Sequence, residues 1–257
     1  MKAMILAAGL GTRLRPLTND RPKALVTVAG RTLLEITLSR LRSFGVREVI
    51  VNAHHHAEII ADYLQAHDNF GIRIEVSYEE ELLDTGGGLK KAAHFFCDSL
   101  QEPFILHNVD VLSTIDLGRM MHFHTEQHAL ATLAVQDRVT SRYLLFDELG
   151  QLCGRRVMRA PNVESPKTEA GQDQLVRPAQ QLRALAFSGI HVISPKIFAK
   201  MEEEGAFSII DTYLHFAAQG EKIIAFRADE YYWRDLGRPE NLLEAAHDMR
   251  SGMYSDN

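Results

Sequence analysis

Lys2-Ala3-Met4-Ile5-Leu6-Ala7-Ala8-Gly9-Leu10-Gly11-Thr12-Arg13-Leu14-Arg15-Pro16-Leu17-Thr18 joins a short apolar run to a glycine turn rich in arginine. Lys2–Ala7 has strand length and no polar interruption after Lys2, the pattern of a strand buried on both faces. Gly9 and Gly11 let the backbone turn sharply and bring its N–H groups close to a ligand. Between Gly9 and Ala24, Arg13, Arg15, Arg21 and Lys23 stand against Asp20 alone, a local balance of +3 in a chain of net charge −6. That concentration suits a polyphosphate. The loop is not a Walker A loop, which ends in Gly-Lys-Ser/Thr, and Leu14 occupies the third glycine of a dinucleotide fingerprint.

Outward from this turn, short apolar runs alternate with helical patterns. Thr32–Phe44 carries apolar residues at helical spacing and is closed by Gly45. Glu48–Ala53 reads as a strand, Ala57–Ala66 as a helix, Ile72–Tyr78 as a strand, Thr85–Phe96 as a helix and Pro103–Val109 as a buried strand. The alternation predicts an α/β fold with a Rossmann-like, mostly parallel sheet flanked by helices. Further on, Ala129–Gln136, Arg142–Phe146, Gln151–Met158 and Arg183–Ile193 are strand-like with no helices between them, which predicts an antiparallel excursion. Arg159–Gln181, with prolines at 161, 166 and 178, reads as a long loop and a candidate flap. Helical patterns return at Pro195–Glu203, Ser208–Gln219 and Pro239–Arg250. With neither a linker nor a repeat, residues 1–257 are expected to form one domain of two lobes, about 1–112 and 113–250.

The composition, 46% hydrophobic and 24% charged over 257 residues, is that of a globular protein. An acidic balance without a basic run argues against a nucleic-acid partner. No apolar run approaches the ~20 residues that cross a bilayer, and the first residues lack the form of a signal peptide. Two cysteines, Cys97 and Cys153, make no disulfide framework and read as small buried hydrophobes. The expectation is a cytoplasmic monomer or homodimer without a membrane partner.

Gly-x-Gly-Thr-Arg-Leu-Arg-Pro-Leu-Thr followed by Arg21-Pro22-Lys23 resembles the opening of the sugar-1-phosphate nucleotidyltransferase family. The resemblance continues through Asp84-Thr85-Gly86-Gly87-Gly88, Asn108-Val109-Asp110, Phe187-Ser188-Gly189-Ile190 and Trp233-Arg234-Asp235-Leu236-Gly237. The Thr-Gly-Gly-Gly and Phe-Ser-Gly-Ile forms are most similar to small uridylyltransferases acting on N-acetylmuramate 1-phosphate. The resemblance implies a glycosyltransferase-A-like fold and an enzyme that joins an NTP, UTP by this likeness, to a sugar 1-phosphate and releases pyrophosphate. Mg²⁺ is the implied cofactor, on Asp110 and Asp235. Nucleotide contacts are expected from Leu6, Ala8, Gly9, Gly11, Thr12, Arg13 and Lys23, with Gly86 and Gly87 meeting the base through backbone groups. Arg13, Lys23 and Asp110 are the expected catalytic groups, and Asn108, Ser188 and Gly189 the sugar contacts.

Two departures from the family pattern stand out. Val109 replaces a glycine beside the metal aspartate, and a Glu-Lys-Pro segment is missing from 159–187. The basic contact to the sugar phosphate is therefore open, with Arg142 and Lys167 as candidates. Transfer by a cytidylyl- or guanylyltransferase onto phosphocholine or heptose phosphate is the alternative, as is a catalytically silent nucleotide-sugar-binding module. His54-His55-His56 reads as a polar loop, since three adjacent histidines cannot all face one ion in a regular strand or helix. His107 is placed near the metal site, and one of Glu79, Glu80 and Glu81 is a candidate contact to base or sugar.

Overall fold

The computed structural model describes residues 1–99, 101–158 and 172–254. Its strands are β1 (Lys2–Leu6), β2 (Thr27–Val28), β3 (Arg31–Thr32), β4 (Glu48–Ala53), β5 (Arg73–Tyr78), β6 (Phe104–Asn108), β7 (Val111–Ser113), β8 (Ala131–Gln136), β9 (Arg142–Phe146), β10 (Leu152–Val157), β11 (Gln172–Leu175), β12 (Arg183–Ile193), β13 (Ile223–Arg227) and β14 (Trp233–Asp235). The α-helices are α1 (Leu33–Ser43), α2 (Ala57–Ala66), α3 (Asp84–Lys91), α4 (Leu117–Gln127), α5 (Ile209–Ala218) and α6 (Pro239–Ser251).

Ten of the strands form one sheet. Its path runs β11-β10-β9-β12-β6-β1-β4-β5, with β8 on β12 and β13 on β8. The β4, β1 and β6 neighbours run parallel, as does β5 on β4. β12 joins the halves antiparallel, pairing with β6, β8 and β9. The sheet is therefore mixed, as expected, with the excursion in β9–β11.

Both faces of β1 are buried, which is why its sequence is continuously apolar. Ala3 and Ile5 pack on one face with α1, α2, α4 and α6, while Met4, Ile50 and Leu106 pack on the other with α3 and α5. Local chemistry fixes the helix ends. The Thr32 hydroxyl accepts from the Glu35 amide at the start of α1, and Gly45 at φ 83° follows its end. Pro239 opens α6 and Gly252 at φ 78° closes it.

Several expectations change. Thr85–Phe96 becomes a shorter α3 plus a 3₁₀ turn at Ala92–Phe95, and Pro195–Glu203 becomes a 3₁₀ helix over Pro195–Lys200. The expected long loop Arg159–Gln181 contains β11, paired antiparallel with β10; residues 159–171 lie outside the described residues, and Lys167 with them. Helix α4, strand β13 and the ribbon β7–β14 were not anticipated. Among the described residues no helix is long and apolar enough to cross a membrane.

Candidate active site

Parallel strands deliver the loops at their carboxyl ends to one rim of a sheet. The glycine loop leaves β1 there, and Asn108-Val109-Asp110 leaves β6 beside it. The Val109 amide donates to the Leu6 carbonyl at 3.1 Å, tying the two loops together. Asp235 arrives by a different route. In the antiparallel ribbon, Asp235 pairs with Val111, the residue after Asp110, and the Leu236 amide donates to the Asp110 carbonyl at 2.7 Å. A two-strand ribbon thus closes the sequence gap between the carboxylates.

Each carboxylate has one oxygen engaged. The Lys23 ammonium bonds Asp110 Oδ2, both side chains being largely buried. Asp235 Oδ1 accepts the Gly237 amide at 2.6 Å, and Asn241 Nδ2 holds the Asp235 carbonyl at 2.6 Å. Among the described residues the second oxygen of each carboxylate has no hydrogen-bond partner, and no group of three or more histidine, cysteine or acidic side chains could hold a metal. Two carboxylates with free oxygens fit Mg²⁺, which keeps water and phosphate oxygens as its other ligands.

Asn108 and Asp110 stand between two cavities of about 570 Å³ each, within the range of small-molecule sites. One is lined by Leu6, Ala8, Gly9, Lys23, Asn52 and Thr85, among others. A side chain at Gly9 would meet no atom within 4 Å, so this backbone is open to a ligand. Gly11 acts differently. At φ +63° a Cβ would lie 3.0 Å from the Thr18 methyl and 3.1 Å from Lys23 Cβ, so glycine lets the loop close on the segment that carries Lys23. Thr12 and Arg13 are exposed and line neither cavity, but the Arg13 guanidinium reaches Gly237, next to the Asp235 carboxylate.

Gly86 and Gly87, two of the three glycines of α3, were expected to meet the base through backbone groups, but their amides are engaged elsewhere. Gly86 and Gly87 are buried, and both amides donate to the Phe207 carbonyl, at 2.8 and 3.3 Å. A Cβ at Gly86 would lie 2.4 Å from the Phe207 ring, and one at Gly87 2.3 Å from the Gly205 carbonyl oxygen. Their backbone donors are thus engaged within the protein, and their small size admits the 205–207 segment. Asp84, Thr85, Leu82 and Ala206 line the cavity in their place.

A buried hydrogen-bond chain underlies this cavity. Asn52 Oδ1 accepts the Ala7 amide at 2.7 Å, Asn52 Nδ2 donates to Glu79 Oε1 at 2.7 Å, and Glu79 Oε2 accepts the Leu83 amide at 3.0 Å. Of the three glutamates Glu79 is therefore a buried support, while Glu80 and Glu81 are exposed. The polar Asn52, which interrupts the apolar run after Glu48 in Glu-Val-Ile-Val-Asn-Ala, was the available signal. His54 Nδ1 bonds the Glu79 carbonyl at 2.9 Å, in keeping with a structural role for that histidine. His107 is buried, its Nδ1 on the Asn108 carbonyl at 2.8 Å, and burial pushes its pKa down to about 4.

The second cavity holds Asp110, Asp235, Gly189 and four arginines, at 138, 142, 155 and 156. Arg155 is paired with Asp211 at 2.5 Å and Arg156 with Asp173 at 2.5 and 2.8 Å, whereas Arg138 and Arg142 have no carboxylate partner among the described residues. Gly189, at φ +73°, touches the Asn108 amide; a Cβ there would be 2.9 Å from Asn108 Nδ2. The Ser188 side chain is fully buried with its hydroxyl unpaired, and it does not face the cavity as expected. Its carbonyl instead accepts the Trp233 indole N–H at 2.8 Å. Cys153 is buried as expected, but Cys97 is exposed.

The sequence pattern of the nucleotidyl transferase family matches residues 2–252, and the chain belongs to that family: it is a nucleotidyltransferase. It is 32% identical over 95% of its length to the N-acetylmuramate alpha-1-phosphate uridylyltransferase of Caulobacter vibrioides, 94% of which it covers. It is 33% identical over 95% of its length to the mannose-1-phosphate guanylyltransferase catalytic subunit beta of Danio rerio, of which it spans 63%. Among solved structures, HddC from Yersinia pseudotuberculosis complexed with GMP-PN superposes with a TM-score of 0.72 at 23% identity, over 96% of this chain and 99% of that one. A UDP-glucose pyrophosphorylase complexed with UDP-glucose gives 0.73 at 18%, over 98% of each chain. These likenesses support the expected fold.

Proposed function

We propose that this chain condenses UTP with a sugar 1-phosphate to form a nucleotide sugar and pyrophosphate. The observation that carries the reading is the meeting of two cavities at Asn108 and Asp110, with Lys23 on the aspartate and Asp235 brought alongside by the ribbon. A donor nucleotide in the glycine-loop cavity and an acceptor in the other would present their phosphates to each other across that edge. The first-half lobe then serves the nucleotide and the second-half lobe the sugar.

The reaction is an in-line displacement: an oxygen of the sugar 1-phosphate bonds the α-phosphorus while the bond to the bridging oxygen breaks and pyrophosphate leaves. A phosphate monoester is already a nucleophile near neutral pH, so no protein group must remove a proton. Catalysis is positioning and charge neutralisation. Lys23 lies at the junction and would contact the α-phosphate. Arg13, exposed beside Gly237, is placed to hold the β- and γ-phosphates and the leaving pyrophosphate. Asp110 and Asp235 would hold Mg²⁺, which when bound neutralises phosphate charge. Gly189 lets the sugar lie close to β12.

Pyrophosphate release measured across a grid of NTPs and sugar 1-phosphates, N-acetylmuramate 1-phosphate among them, tests the reading. Turnover with UTP and one sugar phosphate is the expected result. The guanylyltransferase relative of similar identity makes preferential use of GTP the competing outcome. Silence across the grid would leave a nucleotide-sugar-binding module. Cell-wall sugar metabolism and a cytoplasmic location go with the N-acetylmuramate reading.

A further inference from the structure

Arg138 stands two residues beyond β8, in the cavity that also holds Asp110 and Asp235. Its guanidinium lies 3.6 Å from the centre of the Trp233 ring, and its Nη2 donates to the Phe187 carbonyl at 2.7 Å. Trp233 is itself held by the Ser188 carbonyl. Where β12 bulges between Phe187 and His191, two successive carbonyls thus fix the arginine and the ring beneath it. Trp233 and Asp235 are two positions apart in β14, so they face the same side of the ribbon. The stacked guanidinium therefore lies on the metal-carboxylate side.

Two features show that this cation is built for a partner it lacks within the protein. Its Nε is buried without a hydrogen-bond partner, and no carboxylate pairs with it among the described residues, although Arg155 and Arg156 in the same cavity are both paired. Burial lowers its pKa, and the charge of Asp235 opposes that shift, so the two groups sense each other. A guanidinium fixed on an aromatic face, lining the cavity with no carboxylate on it among the described residues, matches a tetrahedral phosphate better than a freely rotating lysine does. Arg142 is exposed at the start of β9 and has no such support.

We infer that Arg138, stacked on Trp233, is the basic ligand of the acceptor phosphomonoester, the contact left open by the missing Glu-Lys-Pro segment. This rests on the proposed function for what is transferred, but the subsite itself requires only that a phosphomonoester bind beside Asp235. Arg138→Ala should lower kcat/KM for the sugar phosphate roughly 10- to 150-fold, the factor carried by a hydrogen bond to a charged group, through KM. KM for the NTP should stay within about twofold. Arg138→Lys should recover part of the loss, and Trp233→Leu should reproduce much of it while circular dichroism shows the fold intact.

A readout independent of turnover is the ¹⁵N–¹H signal of Arg138 Nε, assigned by its absence in Arg138→Lys. Titration with glucose 1-phosphate and N-acetylmuramate 1-phosphate in the presence of Mg²⁺ should shift it, and the same titration with the sugars lacking phosphate should not. An unmoved signal at saturating sugar phosphate overturns the assignment, as does an Arg138→Ala enzyme whose NTP KM rises while its sugar-phosphate KM holds. A shifted signal in a protein that releases no pyrophosphate from any pair would sink the transferase reading and leave the subsite standing.

Discussion

Replacing Asn52 by alanine tests whether the buried chain from Ala7 to Leu83 holds the glycine loop in place. Asn52 is 2% exposed and Glu79 is 4% exposed, so neither end of the chain is freely replaced by water. The substitution removes one hydrogen bond to a carboxylate, worth about 1.5–3 kcal/mol, and leaves the Ala7 amide without its acceptor, a cost of about 1–3 kcal/mol. Because Asn52 also lines the glycine-loop cavity, water can re-solvate part of the gap, and the expected loss is about 2–4 kcal/mol. At about 2–4 °C per kcal/mol for a domain of this size, the melting temperature should fall by about 5–15 °C. Gly88→Ala strikes the same pair from the other side. Its Cβ would lie 2.7 Å from Glu79 Oε1 and 2.8 Å from Asn52 Nδ2, which should outweigh the gain of up to about 1 kcal/mol from replacing a helical glycine. In the Asn52→Ala background the contact with Asn52 Nδ2 is gone and the Glu79 carboxylate loses one of its two anchors, so the Gly88→Ala cost should shrink. Thermal unfolding followed by circular dichroism and denaturant unfolding followed by the single tryptophan measure all four proteins. An Asn52→Ala protein melting within about 2 °C of the parent, or a Gly88→Ala cost unchanged in that background, would refute the reasoning.

Arg13→Ala should reduce turnover about 10²–10³-fold, the usual cost of losing a contact to transition-state charge, and an exposed side chain should leave the melting temperature almost unmoved; initial rates and a thermal scan check both. Asp110→Asn and Asp235→Asn should each raise the Mg²⁺ requirement and lower turnover, with the double variant little worse than either single one; fully additive losses in a Mg²⁺ titration would separate the two residues. Stability should fall on acidification because His107, His124 and His191 are held neutral by burial, their pKa values lowered to about 4, 4 and 3. The unfolded chain binds protons near pH 6.5 that the folded protein refuses, so stability rises with pH between about 3 and 6.5 and levels off above it. Urea unfolding at stepped pH should show that slope, and His191→Gln should flatten it.

The local patterns of the chain were enough to place most of the sheet and helices. Buried parallel strands must be continuously apolar, so β1, β4 and β6 announced themselves, and the strands of the excursion were visible from alternation and turn chemistry. Strands β7 and β14, at three residues each, are too short to show a period, and their pairing is a long-range event. Yet that pairing is what puts Asp235 beside Asp110. The motifs singled out the two aspartates, Lys23 and the glycine loop as candidates by residue type and order, and the structure brings the aspartates and Lys23 together. Which backbone groups remain available was another matter: Gly86, Gly87 and Ser188 had the right chemistry, but packing against Phe207, Gly205 and Trp233 had already engaged their amides or carbonyl. Arg138 carried no motif. Its chemistry comes from the Trp233 ring, the Phe187 carbonyl and the Asp235 charge, which come together only when β8, β12 and β14 fold beside one another. A sequence records which groups the chain carries, whereas burial and partnership are properties of the packed chain.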